Sequence, residues 1–447
     1  MKLIYRLLPL MLVIFTACDL RVQRVREFKP EGSGINYQIN DLAGTKVKYM
    51  TGARWETCGK PSCLLSAWDE HDRTLWNALY APERISSSVG KQVAVFPTRM
   101  STQERIYILI QAVDTLGQNQ LILAEYDSLG TRHCERVVMT STTPVSGSMI
   151  TDYDQNQVYV AGWFDDTSAI RTMYIFRFRP ETRGTWTRKY QDPTLRFEDL
   201  QWTRIPGKDF IAAGVLDDAG NVYYIRFDSL GGFKKLVRHE TPEKETEVIA
   251  VACDAEGNLG LTAVSEGAGT GADYLTLVYD ENDSLRWAGR FDGPAHKDDI
   301  PTQLVMTGNA AAYVTGAGTA ADDRTAIMTT QYAGDGTQQW TRNFTGRHGQ
   351  EAYPIVMEYR FPVDHYVGQI GGSDLYIAGT SGNDALVVRY KSSGAAASLR
   401  FSRRGQTCTP VAVNSRYLTV NYEEGEKSGA YVVRFGQFEI PGLKRWD

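Results

Sequence analysis

The residues best suited to chemistry in this sequence are carboxylates, many of them in adjacent pairs. Asp165-Asp166, Asp217-Asp218, Asp298-Asp299 and Asp322-Asp323 are such pairs, joined by Glu198-Asp199, and Asp273, Glu245, Glu247, Glu351 and Asp384 stand in comparable places. Carboxylates in pairs suit proton transfer, coordination of a hard cation such as Ca²⁺, or attraction of a basic partner. The competing role is structural. An Asp ahead of a strand caps a turn by accepting hydrogen bonds from the backbone just beyond it. These acids recur in phase with a repeat, as turn caps do, so capping is the expected role for most of them.

Other chemistry is sparse. His239, His296 and His348 occupy similar places in consecutive stretches of the chain, but ligands on separate repeats diverge, and no metal centre is expected from them. No Gly-x-Ser-x-Gly, His-Glu-x-x-His or phosphate-loop pattern occurs, so no catalytic residue and no cofactor is assigned. Gly267 to Gly271 (GAGTG) is rich in glycine but opens no helix, and reads as a turn. Trp55, Trp163 and Trp202 lie off the repeat and are the rings expected to be exposed for stacking on a sugar.

The elements that position these residues follow from one repeated stretch. Asp273 to Gly293, DYLTLVYDENDSLRWAGRFDG, reads as a strand, a polar turn and a second strand. It recurs as TAIMTTQYAGDGTQQWTRNFTG from Thr325 to Gly346. Aligning on the aromatic that ends its first strand gives Trp68, Tyr126, Phe178, Phe227, Tyr279, Tyr332, Tyr390 and Phe435, at intervals of 58, 52, 49, 52, 53, 58 and 45 residues. Trp76, Trp186, Trp287 and Trp340 open the following strand, each with an aromatic four residues on. In a strand that spacing keeps both rings on one face, which predicts burial of Trp287 and Trp340 between repeats. Upstream lie strands ending in Gly162, Gly214, Gly316 and Gly379, and before them further apolar runs. Each repeat therefore supplies four short antiparallel strands, A to D.

Four-stranded units repeated about every 50 residues predict an all-β fold, a β-propeller. Eight blades are expected, with seven and a shared closing blade as the alternative. The repeat, YVTG…DYLTLVYD…G…W…F-G, resembles those of bacterial propeller lipoproteins of the surface and periplasm. Its Gly336-x-x-x-Trp340 step resembles the quinoprotein-type repeat of the outer-membrane assembly propeller lipoprotein. In such a blade the B–C and D–A connections share one end. Asp298, Asp299, Asp322, Asp323, Glu351 and Asp384 are therefore expected to form one negative patch, a binding site for a cationic ligand or basic partner.

The chain opens with Lys2 and Arg6, an apolar run from Leu7 to Ala17, and Cys18. The run is too short to span a bilayer, and the stretch ending Phe15-Thr16-Ala17-Cys18 resembles a bacterial lipoprotein signal, although Leu is usual where Phe15 stands. Residues 1–17 are expected to be a signal peptide, 18–42 a tether and 43–447 the propeller, with Cys18 lipidated and the protein anchored in the cell envelope, at the outer membrane. Loss of Lys2 and Arg6 takes the formal charge from -5 to -7, which disfavours nucleic acid. Cys58 and Cys63 are spaced to close a small loop in an oxidising compartment, whereas Cys134, Cys253 and Cys408 read as small buried residues. The expected function is a non-catalytic module that binds or scaffolds a protein or glycan partner. The rival expectations are a hydrolase or lyase using the carboxylates, and a subunit of an outer-membrane assembly machine.

Overall fold

The computed structural model describes residues 20–437 apart from 29–34, 45–46, 57–58, 97–103, 153–154, 166–170, 206–209, 241–243, 268, 347–349, 361–373 and 415. The strands form eight four-stranded antiparallel sheets, the blades of a β-propeller, with no helix among the described residues. In seven of the eight sheets the strand order follows the chain. The chain divides into two compact units: Pro30–Tyr353 holds blades 1 to 6, and the N-terminal segment to Lys29 joins Pro354–Asp447 in the other.

The last blade departs from the order expected of the sequence. Its strands A to C are Thr407–Val413, Tyr417–Glu424 and Lys427–Gln437, and its strand D is Leu20–Phe28 from the start of the chain. Val25 pairs with Val433 and Phe28 with Ala430, and Val25 packs into the core around Val433 and Phe435. The blade count is eight and the closing blade is shared, two features the sequence had set against each other. Residues 18–42 are accordingly not a plain tether. They contain this strand, and Ile35–Ala43 is strand A of blade 1, paired with Lys48–Glu56. The physical reason is edge protection: an unpaired Lys427–Gln437 would expose its backbone donors and acceptors. Residues 438–447 lie outside the described residues, as do the signal segment and Cys18.

All eight aromatics that end strand C are buried, none more than 4% exposed. Within the six-blade unit Tyr126, Phe178, Phe227, Tyr279 and Tyr332 belong to apolar clusters, one of which sets Tyr49, Leu65 and Tyr80 of blade 1 against Ile106, Ile108 and Tyr126 of blade 2. The strand D tryptophans reach across the same seams. Trp76, Trp186 and Trp287 each lie on the glycine of the next blade's C–D turn, Gly130, Gly231 and Gly336. A Cβ on any of these glycines would come within 2.8 Å of the ring or its Cβ, and all three have positive φ, so glycine is required on both counts. Trp76 donates from Nε1 to the Ser128 carbonyl at 2.8 Å and Trp287 to the Ala310 carbonyl at 3.1 Å, which satisfies the indole as it is buried. Trp287 and Trp340 are 6% and 9% exposed, as the spacing predicted.

Two expectations about single residues change. Trp202 is buried and donates to Ser148 Oγ at 2.6 Å, so it presents no stacking face. Cys63 is a fully buried free thiol whose pKa burial raises to about 12, while Cys58 lies outside the described residues.

Replacing Trp287 with Ala removes an indole from the seam between blades 5 and 6 and leaves a cavity. The expected loss is about 3–5 kcal/mol, read from the midpoint and slope of urea unfolding; a loss no larger than that of an exposed substitution such as Leu285→Ala would contradict this packing.

Candidate functional site

Asp, Ser and Gly in the hairpins do what their sequence suggests. Asp127, Asp228 and Asp280 each accept, through Oδ1, backbone N–H groups two and four residues on, at 2.7–2.9 Å. Asp217 does the same at the B–C turn of blade 4. These carboxylates are turn caps and need no ligand.

The six acids proposed as a patch fare unequally. Asp298 precedes and Asp299 begins strand A of blade 6, Asp322 and Asp323 lie between its strands B and C, and Glu351 precedes the next strand A. Contacts join these segments at one end of the six-blade unit. Asp298 accepts from the Ala272 amide at 2.9 Å, Lys297 pairs with Asp323 at 2.9 Å, and Thr325 donates to Glu351 at 3.3 Å. Asp322 pairs with Arg324 two residues away. Asp384, in the other unit, is buried and paired with Arg400. Asp298, Asp322, Asp323 and Glu351 are exposed, but two of the four already have a cation, so the local field is weaker than the sequence implied. Asp165, Glu245 and Glu247 lie at the same strand ends. Asp165 pairs with Arg171, whose guanidinium covers the Trp163 ring at 4.2 Å. Asp166, His348 and the side chains of Glu198 and Asp199 lie outside the described residues.

Asp299 belongs to a different arrangement. It comes together with Asp273 and Asp292 so that one carboxylate oxygen of each lies within 4.8 Å of the others. The strand register makes the cluster. Tyr274 in strand C of blade 5 (Gly271–Tyr279) pairs with Phe291 in strand D (Leu285–Phe291), and one step further sets Asp273 against Asp292. Asp299 arrives from strand A of blade 6 (Asp299–Thr307), opposite Gly318. A Cβ at Gly318 would sit 2.0 Å from Asp299 Oδ1, so only glycine admits this carboxylate.

Asp273 and Asp299 have no exposed surface, and Asp292 keeps 25% of its side chain in solvent. Each carboxylate has one engaged oxygen. Asp273 Oδ2 accepts from Arg290 Nε at 2.9 Å and Thr270 Oγ1 at 2.8 Å; Asp292 Oδ2 lies 2.6 Å from His296 Nδ1; Asp299 Oδ2 accepts from the Gly293 amide at 2.5 Å. The remaining oxygen, Oδ1 in all three, is buried without a hydrogen-bond partner. Like charges this close repel by roughly 3 kcal/mol per pair at an effective dielectric near 20. Burial, reinforced by the charges of Asp273 and Asp292, raises the Asp299 pKa to about 6. The hydrogen bond to Asp292 raises that of His296, which is itself in solvent. His239, by contrast, sets its ring edge-on to Tyr279 at 6.3 Å, and burial lowers its pKa.

Sequence reading included Asp299 and Asp273 among the acids but passed over Asp292 and Arg290. A signal was present. The positions of the trio in the next repeat are Ala326, Thr345 and Ala352, so these acids do not recur in phase. In blade 3 the positions of Asp273 and Asp292 hold Thr172 and Gln191, which bond each other at 2.6 Å. The GAGTG run also gains a reason. A Cβ at Gly267 would come 2.6 Å from Asp273 Oδ2, and one at Gly271 would come 2.5 Å from Asp298 Oδ1.

No family model matches the sequence, and no curated protein matches it. Solved structures do. The WD40 domain of SCAP from fission yeast is similar with a TM-score of 0.46 and 11% identity, over 93% of this chain and 98% of that one. A prolyl endopeptidase structure gives a TM-score of 0.48 and 10% identity over 88% of this chain and 55% of that one, so this chain spans about half its length. A lectin from Burkholderia pseudomallei gives 0.45 and 12%, over 82% of this chain and 98% of the lectin. At such identities the likeness concerns architecture and carries no activity.

With chelator present, stability should depend on pH through Asp299. Its folded pKa lies above the unfolded value, so the stability it contributes is complete below about 4 and is lost as pH rises through about 6. His296 acts with the same sign, while Asp273, Asp292 and Arg290 are the other charged groups facing Asp299. Thermal unfolding between pH 4 and pH 7 should show a decline in the wild type that Asp299→Asn flattens and His296→Asn does not remove; a parallel decline in Asp299→Asn would assign the dependence elsewhere.

Proposed function

We propose that this chain is a lipid-anchored β-propeller of the bacterial cell envelope, held at the outer membrane through Cys18. It works as a non-catalytic binding or scaffold module for a protein or glycan partner. The observation that carries the non-catalytic reading is where the carboxylates sit. A hydrolase or lyase needs its acid and base to face a cleft that admits substrate. The clustered acids Asp273 and Asp299 have no exposed surface; of the exposed ones, Asp322 and Asp323 are engaged by Arg324 and Lys297, and Asp298 and Glu351 accept from the Ala272 amide and the Tyr353 hydroxyl. What remains accessible is the end of the six-blade unit carrying the B–C and D–A connections. Its mixture of Asp298, Glu351, Lys297, Arg324 and Tyr353 is suited to recognising a polar partner surface rather than to attracting cations in bulk.

The lipid anchor rests on the run from Lys2 to Cys18 and on the likeness of the repeat to propeller lipoproteins. Replacing Cys18 with Ser should move the protein from washed membranes to the soluble fraction. Native capture from detergent-solubilised envelope should then recover a partner that the Asp322→Arg, Glu351→Arg variant recovers less well, while retaining the wild-type unfolding midpoint. Recovery of a membrane β-barrel would specify an assembly role. Turnover of an envelope glycan or peptide by the purified chain would displace the non-catalytic reading.

A further inference from the structure

The three clustered carboxylates at the junction of blades 5 and 6, two of them wholly buried, form an arrangement that a fold does not keep for packing alone. We propose that Asp273, Asp292 and Asp299 bind a divalent cation, Ca²⁺, through one carboxylate oxygen each. This site is separate from whatever partner the exposed end of the unit recognises, so either proposal stands without the other.

Three observations carry it. The first is geometric. Oxygens sharing one Ca²⁺ at about 2.3–2.6 Å can be no more than about 4.6–5.2 Å apart, and the three ligand oxygens lie within 4.8 Å of one another. The second is the state of those oxygens. In each carboxylate one oxygen is fixed by a donor of the chain, Arg290 and Thr270, His296, or the Gly293 amide, and the other is buried and unpartnered. Two of the side chains, Asp273 and Asp299, are wholly buried, where an unmatched oxygen is costly and an ion relieves it. The third is charge. Three carboxylates against the one guanidinium of Arg290 leave a net charge of -2 when His296 is neutral, which one divalent ion cancels.

The ligand chemistry selects the ion. Three carboxylates with no sulfur or imidazole in the set favour a hard cation over Zn²⁺ or Cu²⁺. Mg²⁺ keeps several waters in a strict octahedron, whereas Ca²⁺ tolerates an irregular shell. Three carboxylates supply part of the roughly six to eight oxygens that Ca²⁺ takes, and water entering beside the partly exposed Asp292 completes an irregular shell. Asp292, the one partly exposed ligand, marks the way in. His296, bonded to Asp292 Oδ2, orients that ligand and leaves Oδ1 for the ion. The repeat makes the same point by contrast, since the next repeat places Ala326, Thr345 and Ala352 where these acids stand.

The test uses the purified full chain, stripped with EDTA and exchanged into chelator-free buffer. Calorimetric titration with CaCl₂ should give one Ca²⁺ per chain, with MgCl₂ a weak competitor. Saturating Ca²⁺ should raise the unfolding midpoint by about 3 °C or more. Asp292→Asn, the most exposed ligand and the variant least able to disturb folding, should weaken binding at least about tenfold. Asp299→Asn should abolish the Ca²⁺ response while remaining folded by circular dichroism, and Asp323→Asn, at an exposed ion pair, should bind as the wild type does. Wild-type protein that neither releases heat nor shifts its midpoint at Ca²⁺ up to about 10 mM, above the usual range of extracellular sites, would overturn the proposal. In that event a rise in the chelated stability of Asp299→Asn would assign the cluster to a shared proton. Unaltered Ca²⁺ binding by both Asp292→Asn and Asp299→Asn would overturn it equally, by putting the ion elsewhere.

Discussion

The contact on which the six-blade unit depends is a tryptophan on a glycine. Trp76, Trp186 and Trp287 leave the outer strand of one blade and settle on Gly130, Gly231 and Gly336 in the C–D turn of the next. Each blade alone is a small sheet with two apolar faces and too little core to be stable. Stacking buries those faces, and the tryptophan fixes how far one blade slides along the next. The glycine meets two constraints at one position: the turn needs a positive φ, and the ring needs the space a Cβ would fill. Where the tryptophan is replaced, as by Cys134 in blade 2, the seam is filled by other apolar groups, among them Tyr107, Phe176 and Phe178.

The same stacking creates the acidic cluster. Strand C and strand D of blade 5 bring Asp273 opposite Asp292, and blade 6 adds Asp299 from its first strand. Asp292 and Asp299 are seven residues apart, but Asp273 joins them only through the register of strands C and D. Like charges facing across a sheet destabilise it, and in blade 3 those facing positions hold Thr172 and Gln191, which bond each other directly. The carboxylate version gives up that stabilisation. In return it gains a set of oxygens whose orientation is fixed from outside by Arg290, His296 and the Gly293 amide. A protein that keeps such a set at one seam and not at the next has specialised one junction of a repeated framework.

The acids also show why one residue type carries different roles in one fold. Asp127, Asp217, Asp228 and Asp280 accept two backbone amides each and are complete as turn caps. Asp322 and Asp323 reach solvent and pair with nearby cations. Asp273 and Asp299 differ only in burial and in the neighbours the seam brings to them.

The sequence by itself determined the repeat, the strands within it and the burial of the aromatics that end strand C, because these depend on alternation and on turn residues within a few positions of one another. It also set the end of the blade at which the acids lie, since antiparallel order alone sorts the loops. Blade closure was not legible. Leu20–Phe28 resembles a polar tether until it meets Lys427–Gln437, some 400 residues later, and alternation in so polar a segment is too weak to announce a strand. The Asp273, Asp292 and Asp299 cluster was legible only as a departure from the repeat. Its geometry was decided by the tertiary structure, because the distance between carboxylates on two blades is set by how those blades pack, a quantity that no spacing along the chain contains.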